Sequence, residues 1–454
     1  MTATAVVEAP TRGAAADPPD AMSSRAFARG LTVIALAGLA IRIGTALFYD
    51  ARTRIGGDAV WFTGTAETFS QGNGFIDPLR QVIGQQNPTA AHPPLYSLYL
   101  SVVDFTFGDS VLAHRLWSCL PGVATVVLLG LIGREIAGRR AGVIAAALAA
   151  ISIELFVQDV MLWSEGMYGL TLALTIFFAY RYLRRPDFLH VGLLSGAIAL
   201  AALTRAEAVL LFVILLVPLV LRNRTKSMRD RIATVGVGAV VAIVLMAPWV
   251  IYNNSGRFNR PVAVTVTFGT LIGSSNCHAT YFGPLIGGWG GLCRDTVPNP
   301  WPRDESDAEA AARTAGFKYM GEHLDRLPVV IPARLGRTFG FYQPSKSISD
   351  DLLFAEAKVN KLSYVTLAQY WLYLGLGIAG CVALYRRRVA LLPFLAPAAT
   401  VVVIAIIGYG GMRFRFAIDV IIPVLAAVTI DHLLTRRAAR RESPAAPGTV
   451  GSNS

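Results

Sequence analysis

Runs of about twenty apolar residues, separated by short loops rich in arginine, repeat along most of this chain, and two long polar stretches interrupt the rhythm. At about 1.5 Å of rise per helical residue, such a run crosses a hydrocarbon core of roughly 30 Å. The pattern predicts spans near 31–48, 111–132, 141–156, 162–180, 189–203, 206–221, 232–251, 365–385, 390–407 and 416–434, about ten in all. Strands of a membrane barrel would alternate apolar and polar residues over about ten positions, and that alternation is absent. The fold class is therefore an all-α polytopic membrane protein. Its polar interruptions are a first loop over 50–110 and a large loop over 252–364.

Loop charge sets the orientation. With the N-terminus in the cytoplasm, the inside loops carry Arg134, Arg139 and Arg140, then Arg181, Arg184 and Arg185, then the Arg222–Arg231 cluster, then Arg386, Arg387 and Arg388. The C-terminal segment, 436–454, is a basic cytoplasmic tail. Every inside loop is basic, as the positive-inside rule requires. This agreement also decides the segment 94–107, which is apolar enough to resemble a span. Counting it would move the Arg134–Arg140 loop outside, so it is read as a juxtamembrane helix lying at the outer interface. Both long loops then lie on the outer side of a plasma membrane.

Composition agrees: 54% of residues are hydrophobic and 15% charged, with mean hydropathy +0.51, where soluble domains are about a quarter charged. The net charge of +12 would suggest nucleic acid, but it resides in the inside loops and reports topology. Residues 1–28, rich in Ala, Pro and Asp, read as a disordered cytoplasmic N-terminus. The first span has no small-residue cleavage site and reads as an uncleaved anchor. The transmembrane domain is 29–435. Of four cysteines, Cys119 and Cys381 lie in apolar spans and read as packing residues. Cys277 and Cys293 flank a Gly/Trp-rich stretch of the large loop, where an oxidising compartment permits a disulfide. Helical spacing over 304–327 predicts a surface helix in the same loop.

Ionisable groups at outer span ends carry the candidate chemistry. They are Asp58, His92, Arg115, Asp159, Glu165, Arg205, Glu207, Arg413 and Arg415. Each has a plainer reading. Asp58 could cap the helix it begins. His92-Pro93-Pro94 could be a helix-start device. Arg115 could snorkel to the interface, Glu165 and Arg205 could form a structural pair, and Arg42 could pair within the first span. Trp61, Phe62, Tyr96 and Trp289 could stack on sugars or anchor at the interface.

The order of these groups is more specific than any one of them. Gly56-Gly57-Asp58 follows the first span and His92-Pro93-Pro94-Leu95-Tyr96 heads the next helix. Arg115 opens the second span. Ser164-Glu165, Leu203-Thr204-Arg205-Ala206-Glu207 and Arg413-Phe414-Arg415 follow. From about Leu31 to Leu434 the chain resembles the GT-C superfamily of membrane glycosyltransferases, nearest the protein O-mannosyltransferase-like and aminoarabinose-transferase-like group. The stretch Asn276–Cys293 resembles that of actinobacterial members. The resemblance implies an inverting transferase that moves a sugar from a polyprenyl-phosphate donor to a hydroxyl of a lipid, polysaccharide or protein. It implies Asp58 as the base. Many relatives follow that Asp with a second acid, where this chain has Ala59; either Glu165 supplies the second carboxylate or none is needed. Arg115, Arg205, Arg413 and Arg415 are the candidates for the donor phosphate, and the resemblance favours Arg115. His92, Trp61, Tyr96 and Glu207 are candidates for binding substrate. No cofactor is required; a divalent metal is compatible with the pattern but not demanded by it. The rival readings are a flippase for a lipid-linked sugar, against which no internal repeat is visible, and a non-catalytic envelope scaffold.

Overall fold

The computed structural model describes residues 22–442, apart from 53–54, 290, 292, 294–295, 297–302 and 356–359. All ten apolar segments are helical in their cores. Among the described residues there is no strand, only an isolated bridge between Ile76 and Pro88. Five helices are long and apolar enough to cross a membrane: Ser24–Asp50, Val111–Ala137, Met228–Asn253, Leu362–Arg386 and Met412–Ala438. A sixth span results if Arg139–Ala150 and Ile153–Val160 are taken together across their 53° bend. Phe188–Ala202, Ala206–Leu221 and Leu392–Ile407 are shorter apolar helices.

Three boundaries differ from the hydropathy reading. The first helix begins at Ser24, not after 28, because the Ser23 hydroxyl accepts from the Ala26 amide and Phe27 is buried beneath the Arg134 guanidinium. The rest of the proposed disordered segment, residues 1–21, lies outside the described residues. The 141–156 segment is not one rod; it bends at Ile151-Ser152. The 206–221 segment starts as a 3-10 turn, passes through a π-turn over Phe212–Leu216 and ends as α-helix. π-Turns inside helices recur at functional sites.

The helix Leu95–Phe107 has thirteen residues, about 20 Å at 1.5 Å each, too short to cross. It packs on Asp58–Ser70 and on the start of Val111–Ala137. The core of the spanning bundle joins Val126, Leu129, Leu172, Ile176, Ile198, Leu215, Phe394, Phe416 and Val420, all buried. Arg42 is buried in the first helix, where its Nε donates to Asp159 at 2.6 Å. A lone charge at that depth is costly, and pairing is the usual solution.

The large loop after helix Met228–Asn253 folds onto the loop after the first helix. Helix Glu305–Glu322, capped by Asp304, packs on Thr267–Ser275. Cys277 and Cys293 are joined, with sulfurs 1.97 Å apart. Cys119 is buried and unpaired, and Cys381 is half-buried and unpaired.

Candidate active site

Gly57 takes φ 54°, ψ −129°, a conformation that is comfortable only without a Cβ. It turns the chain so that Asp58 is the first residue of its helix. No side chain caps this helix, so the Asp58 carboxylate is not spent on capping and reaches across the bundle. Its Oδ2 accepts from Nη1 of Arg413 at 2.5 Å. Arg413 sits in a 3-10 turn, Met412–Arg415, between the last two apolar helices.

Arg413 also meets Glu165, the first residue of helix Glu165–Arg184. Its Nε donates to Oε1 and its Nη2 donates to Oε2 at 3.1 Å. Glu165 Oε1 accepts again from Arg205 Nη1 at 2.5 Å, and Arg205 Nε donates to Glu207 at 2.5 Å. Glu165 is completely buried and both its oxygens are occupied. Here it orients two arginines and has no open face toward a substrate.

Aromatic rings hold the cations. The Trp163 ring lies 4.2 Å from the Arg413 guanidinium carbon, and Tyr168 lies 5.8 Å from that of Arg205. Stacking of this kind supports a partly desolvated guanidinium. Leu162, just before Trp163, has φ 59°. This left-handed step is rare for a branched side chain, and it separates the helix carrying Asp159 from the helix carrying Glu165.

His92 completes the near shell. Its Nε2 is 3.9 Å from Asp58 Oδ1, with side chains 26% and 33% exposed. The imidazole packs on Phe62 at 4.6 Å and on the edge of Trp61 at 6.2 Å. The chain leading to it is clamped. Glu305 accepts from the Thr89 hydroxyl at 2.9 Å and the Ala90 amide at 3.0 Å, and the Thr265 hydroxyl donates to the Ala91 carbonyl at 2.6 Å.

Electrostatics follow from the geometry. Burial pushes the Asp58 carboxyl up, but Arg413, His92 and Arg205 outweigh it and hold it at about 2. For His92, burial outweighs the pull of Asp58, and Arg413 and Arg205 add to it, so the imidazole is held below 6.5. Burial pushes Glu305 up to about 7, against the hydrogen bonds from Ala90 and Thr89.

Beside the charged centre lies a small open cleft, with about 10 Å³ of water-accessible space, bordered by Tyr168, Arg205, Glu207 and Arg413. Val401, Ile404, Phe414, Phe416 and Ala417 supply an apolar wall. Cationic nitrogens thus border an apolar slot.

Several candidates lie elsewhere. Arg115 is buried, not snorkelling, and it interacts electrostatically with Asp50 and Tyr49, at the end of the first helix. Arg415 is buried, pairs with Asp419 at 3.3 Å and stacks on Tyr370 at 3.8 Å. Tyr96 is buried, with its hydroxyl hydrogen-bonded to Ser118 at 2.9 Å and its ring against Phe62, so it packs the site and does not face a substrate. Trp61 is half-buried and open to the His92 side. Sequence reasoning missed Trp163, Tyr168 and Glu305; Trp163 was within reach, being two residues from Glu165. Among the described residues no group of three or more His, Cys, Asp or Glu forms a metal cluster.

With this geometry in hand, likenesses to known proteins can be placed. The family profile described as dolichyl-phosphate-mannose-protein mannosyltransferase matches residues 91–252, which include His92, Glu165, Arg205 and Glu207. The oligosaccharyltransferase of Archaeoglobus fulgidus in its apo form overlays with TM-score 0.51 at 15% identity, covering 92% of this chain and 52% of that one. The same enzyme tethered to an acceptor peptide containing the NVT sequon overlays with TM-score 0.52 at 16% identity, covering 92% and 51%. The chain has a GT-C fold. The chain spans about half the length of the archaeal enzyme. ArnT from Cupriavidus metallidurans bound to undecaprenyl phosphate aligns with TM-score 0.42 at 14% identity, over 94% of this chain and 82% of that one. No curated protein sequence matches it.

Proposed function

We propose that this chain is an integral-membrane glycosyltransferase that moves a sugar from a polyprenyl-phosphate donor to an acceptor hydroxyl at the outer face, inverting the anomeric carbon. The observation that carries this reading is the single guanidinium of Arg413, which binds Asp58 while lining an apolar slot with Arg205. A carboxylate, two anion-binding forks and an apolar wall are the parts that sugar transfer from a lipid phosphate needs. The profile over 91–252, described by a dolichyl-phosphate sugar, supports the same donor class.

In this reading the donor phosphate enters the slot and takes hydrogen bonds from Arg205 and Arg413, whose planar forks match phosphate oxygens. Engaging Arg413 loosens its hold on Asp58 and restores the carboxylate as a proton acceptor. The acceptor oxygen attacks the anomeric carbon and polyprenyl phosphate leaves with the bonding pair. The leaving group is already a stable anion, so no general acid is required, and fixed cationic donors stabilise the growing charge. Glu165 keeps both arginines oriented. The acceptor is a hydroxyl of lipid, polysaccharide or protein; the archaeal enzyme of similar fold was captured with an acceptor peptide.

The test is transfer of labelled mannose, arabinose or glucose from its polyprenyl phosphate by purified protein, with membrane lipids, wall polysaccharide and membrane proteins offered as acceptors. Asp58→Asn is expected to lose at least about 100-fold in kcat while keeping its thermal unfolding profile. An active wild type with a fully active Asp58→Asn removes Asp58 as base. A wild type inert with every donor and acceptor removes the transferase reading.

A further inference from the structure

His92 occupies a position that its substrate-binding assignment leaves unexplained. A side chain that only contacted sugar would need to face the slot. The ring instead packs against Phe62 at 4.6 Å with Trp61 at its edge, and these contacts aim Nε2 at Asp58 Oδ1, 3.9 Å away. The oxygen it faces is not the one held by Arg413, which takes Oδ2. Each carboxylate oxygen thus has its own neighbour, a cation on one side and an imidazole on the other. The strap carrying His92 is fixed at both edges, by Glu305 on Thr89 and Ala90 and by Thr265 on Ala91.

We propose that His92 is the proton sink of the transfer reaction: Asp58 takes the acceptor hydroxyl proton on Oδ1 and passes it to Nε2 of His92. This rests on the transferase reading above. In the balanced step, the acceptor oxygen forms its bond to the anomeric carbon and the bond to phosphate breaks, its electron pair leaving with polyprenyl phosphate. The hydroxyl proton moves to Asp58 and then to the imidazole, which later releases it to water. A gap of 3.9 Å is longer than a hydrogen bond of about 2.7–3.2 Å; release of Oδ2 by Arg413 on donor binding frees the carboxylate to close it.

The charges around the ring favour this division of labour. His92 feels Asp58 and Glu165 on one side and Arg413 and Arg205 on the other, and burial keeps the imidazole neutral at pH 7, ready to accept. Asp58, held at about 2, cannot retain a proton at neutral pH while Arg413 stays near it. Once the donor phosphate draws Arg413 away, the carboxylate can take the proton and hand it to the neutral imidazole, which releases it to water. His92 acts on the acceptor through Asp58, so it is a positioning and relay residue.

The experiment is the pH dependence of kcat between pH 5 and 8 for wild type and His92→Gln, with saturating polyprenyl-phosphate mannose, arabinose or glucose, whichever the wild type uses. The wild type is expected to lose kcat on the acidic side, below the ordinary imidazole range, as the ring protonates. His92→Gln is expected to drop about 100-fold in kcat, to lose that acidic limb, and to keep KM for donor and acceptor within about twofold. Added imidazole is expected to restore part of kcat in His92→Ala. Wild-type kcat with an unchanged acidic limb in His92→Gln overturns the relay, as does a rise in acceptor KM alone. If His92→Gln does not fold, the rescue decides, since a folded His92→Ala that gains nothing from added imidazole overturns the relay. Failure of the wild type with every donor strikes the transferase reading instead.

Discussion

Nη1 of Arg413 lies 2.5 Å from Oδ2 of Asp58, although the two residues are 355 positions apart in the sequence. The other two nitrogens of the same guanidinium go to Glu165. One side chain therefore ties the loop after the first helix to the start of helix Glu165–Arg184 and to the turn before the last apolar helix.

That relationship predicts a graded response at position 413. Arg413→Lys keeps the charge but loses the planar fork that pairs with both Glu165 oxygens while reaching Asp58, and a loss of about 10–100-fold in kcat/KM for donor is expected. Arg413→Ala leaves Glu165 buried with one cation, and breaking a buried pair costs about 3–5 kcal/mol. It is expected to lower the unfolding temperature in detergent as well as activity. Wild-type kcat/KM in Arg413→Lys would show that the fork is not used.

Asp58, Glu165, Arg205 and Arg413 were legible as candidates, because ionisable side chains at the ends of apolar runs stand out, and the Glu165–Arg205 pair was legible too. The link from Arg413 to Asp58 and Glu165 was not. Arg413 and Arg415 look equivalent in sequence, but the segment is a 3-10 turn, where residues two apart point about 120° from each other. One therefore meets Glu165 and the other Asp419. Tyr96 carries a sugar-binding residue type, yet the packing of its helix on Asp58–Ser70 buries it. The bend at Ile151-Ser152 carries neither Gly nor Pro, so nothing in the hydropathy pattern announced it.

Arg205 and Arg115 should separate in kinetics. Arg205 lines the slot, whereas Arg115 lies near Asp50 and Tyr49. Arg205→Ala is expected to raise donor KM or lower kcat by at least tenfold, and Arg115→Ala to change donor saturation by less than threefold. Donor titrations of both variants check this, and the opposite ranking would return the phosphate to Arg115.

Glu305 makes stability depend on pH. Its folded pKa is raised from an ordinary 4.5 to about 7, so between those values the folded state binds the proton that the unfolded chain gives up. Its share of stability is full below about pH 4.5, falls as pH rises through 7, and is level above. The drop is at most about 3 kcal/mol at about 1.4 kcal/mol per unit. Unfolding temperatures at pH 5 and pH 8 should differ in wild type and differ less in Glu305→Gln. An equal slope in both would show that other groups set the trend.

The disulfide bears on the site through one backbone contact. The amide of Gly410 donates to the carbonyl of Gly287 at 2.8 Å, and Gly287 lies inside the Cys277–Cys293 loop. A Cβ at Gly410 would lie 2.2 Å from the Arg334 carbonyl oxygen, so only glycine fits this approach, three residues before Arg413. Arg334 also donates to the Ser275 carbonyl and to Asn276 at 2.6 and 3.0 Å, tying the same loop from its other end. Opening the disulfide releases an unfolded-state constraint worth about 3 kcal/mol for a loop near 15 residues. It also loosens the support for Gly410. Cys277→Ser/Cys293→Ser is therefore expected to unfold at lower temperature, to lose its gel shift between reducing and non-reducing conditions, and to show a lower kcat/KM for donor. Gly410→Ala, with the disulfide intact, should reproduce the kinetic loss. A double serine variant that loses stability but keeps wild-type kcat/KM would confine the disulfide to folding and detach the Cys277–Cys293 loop from Arg413.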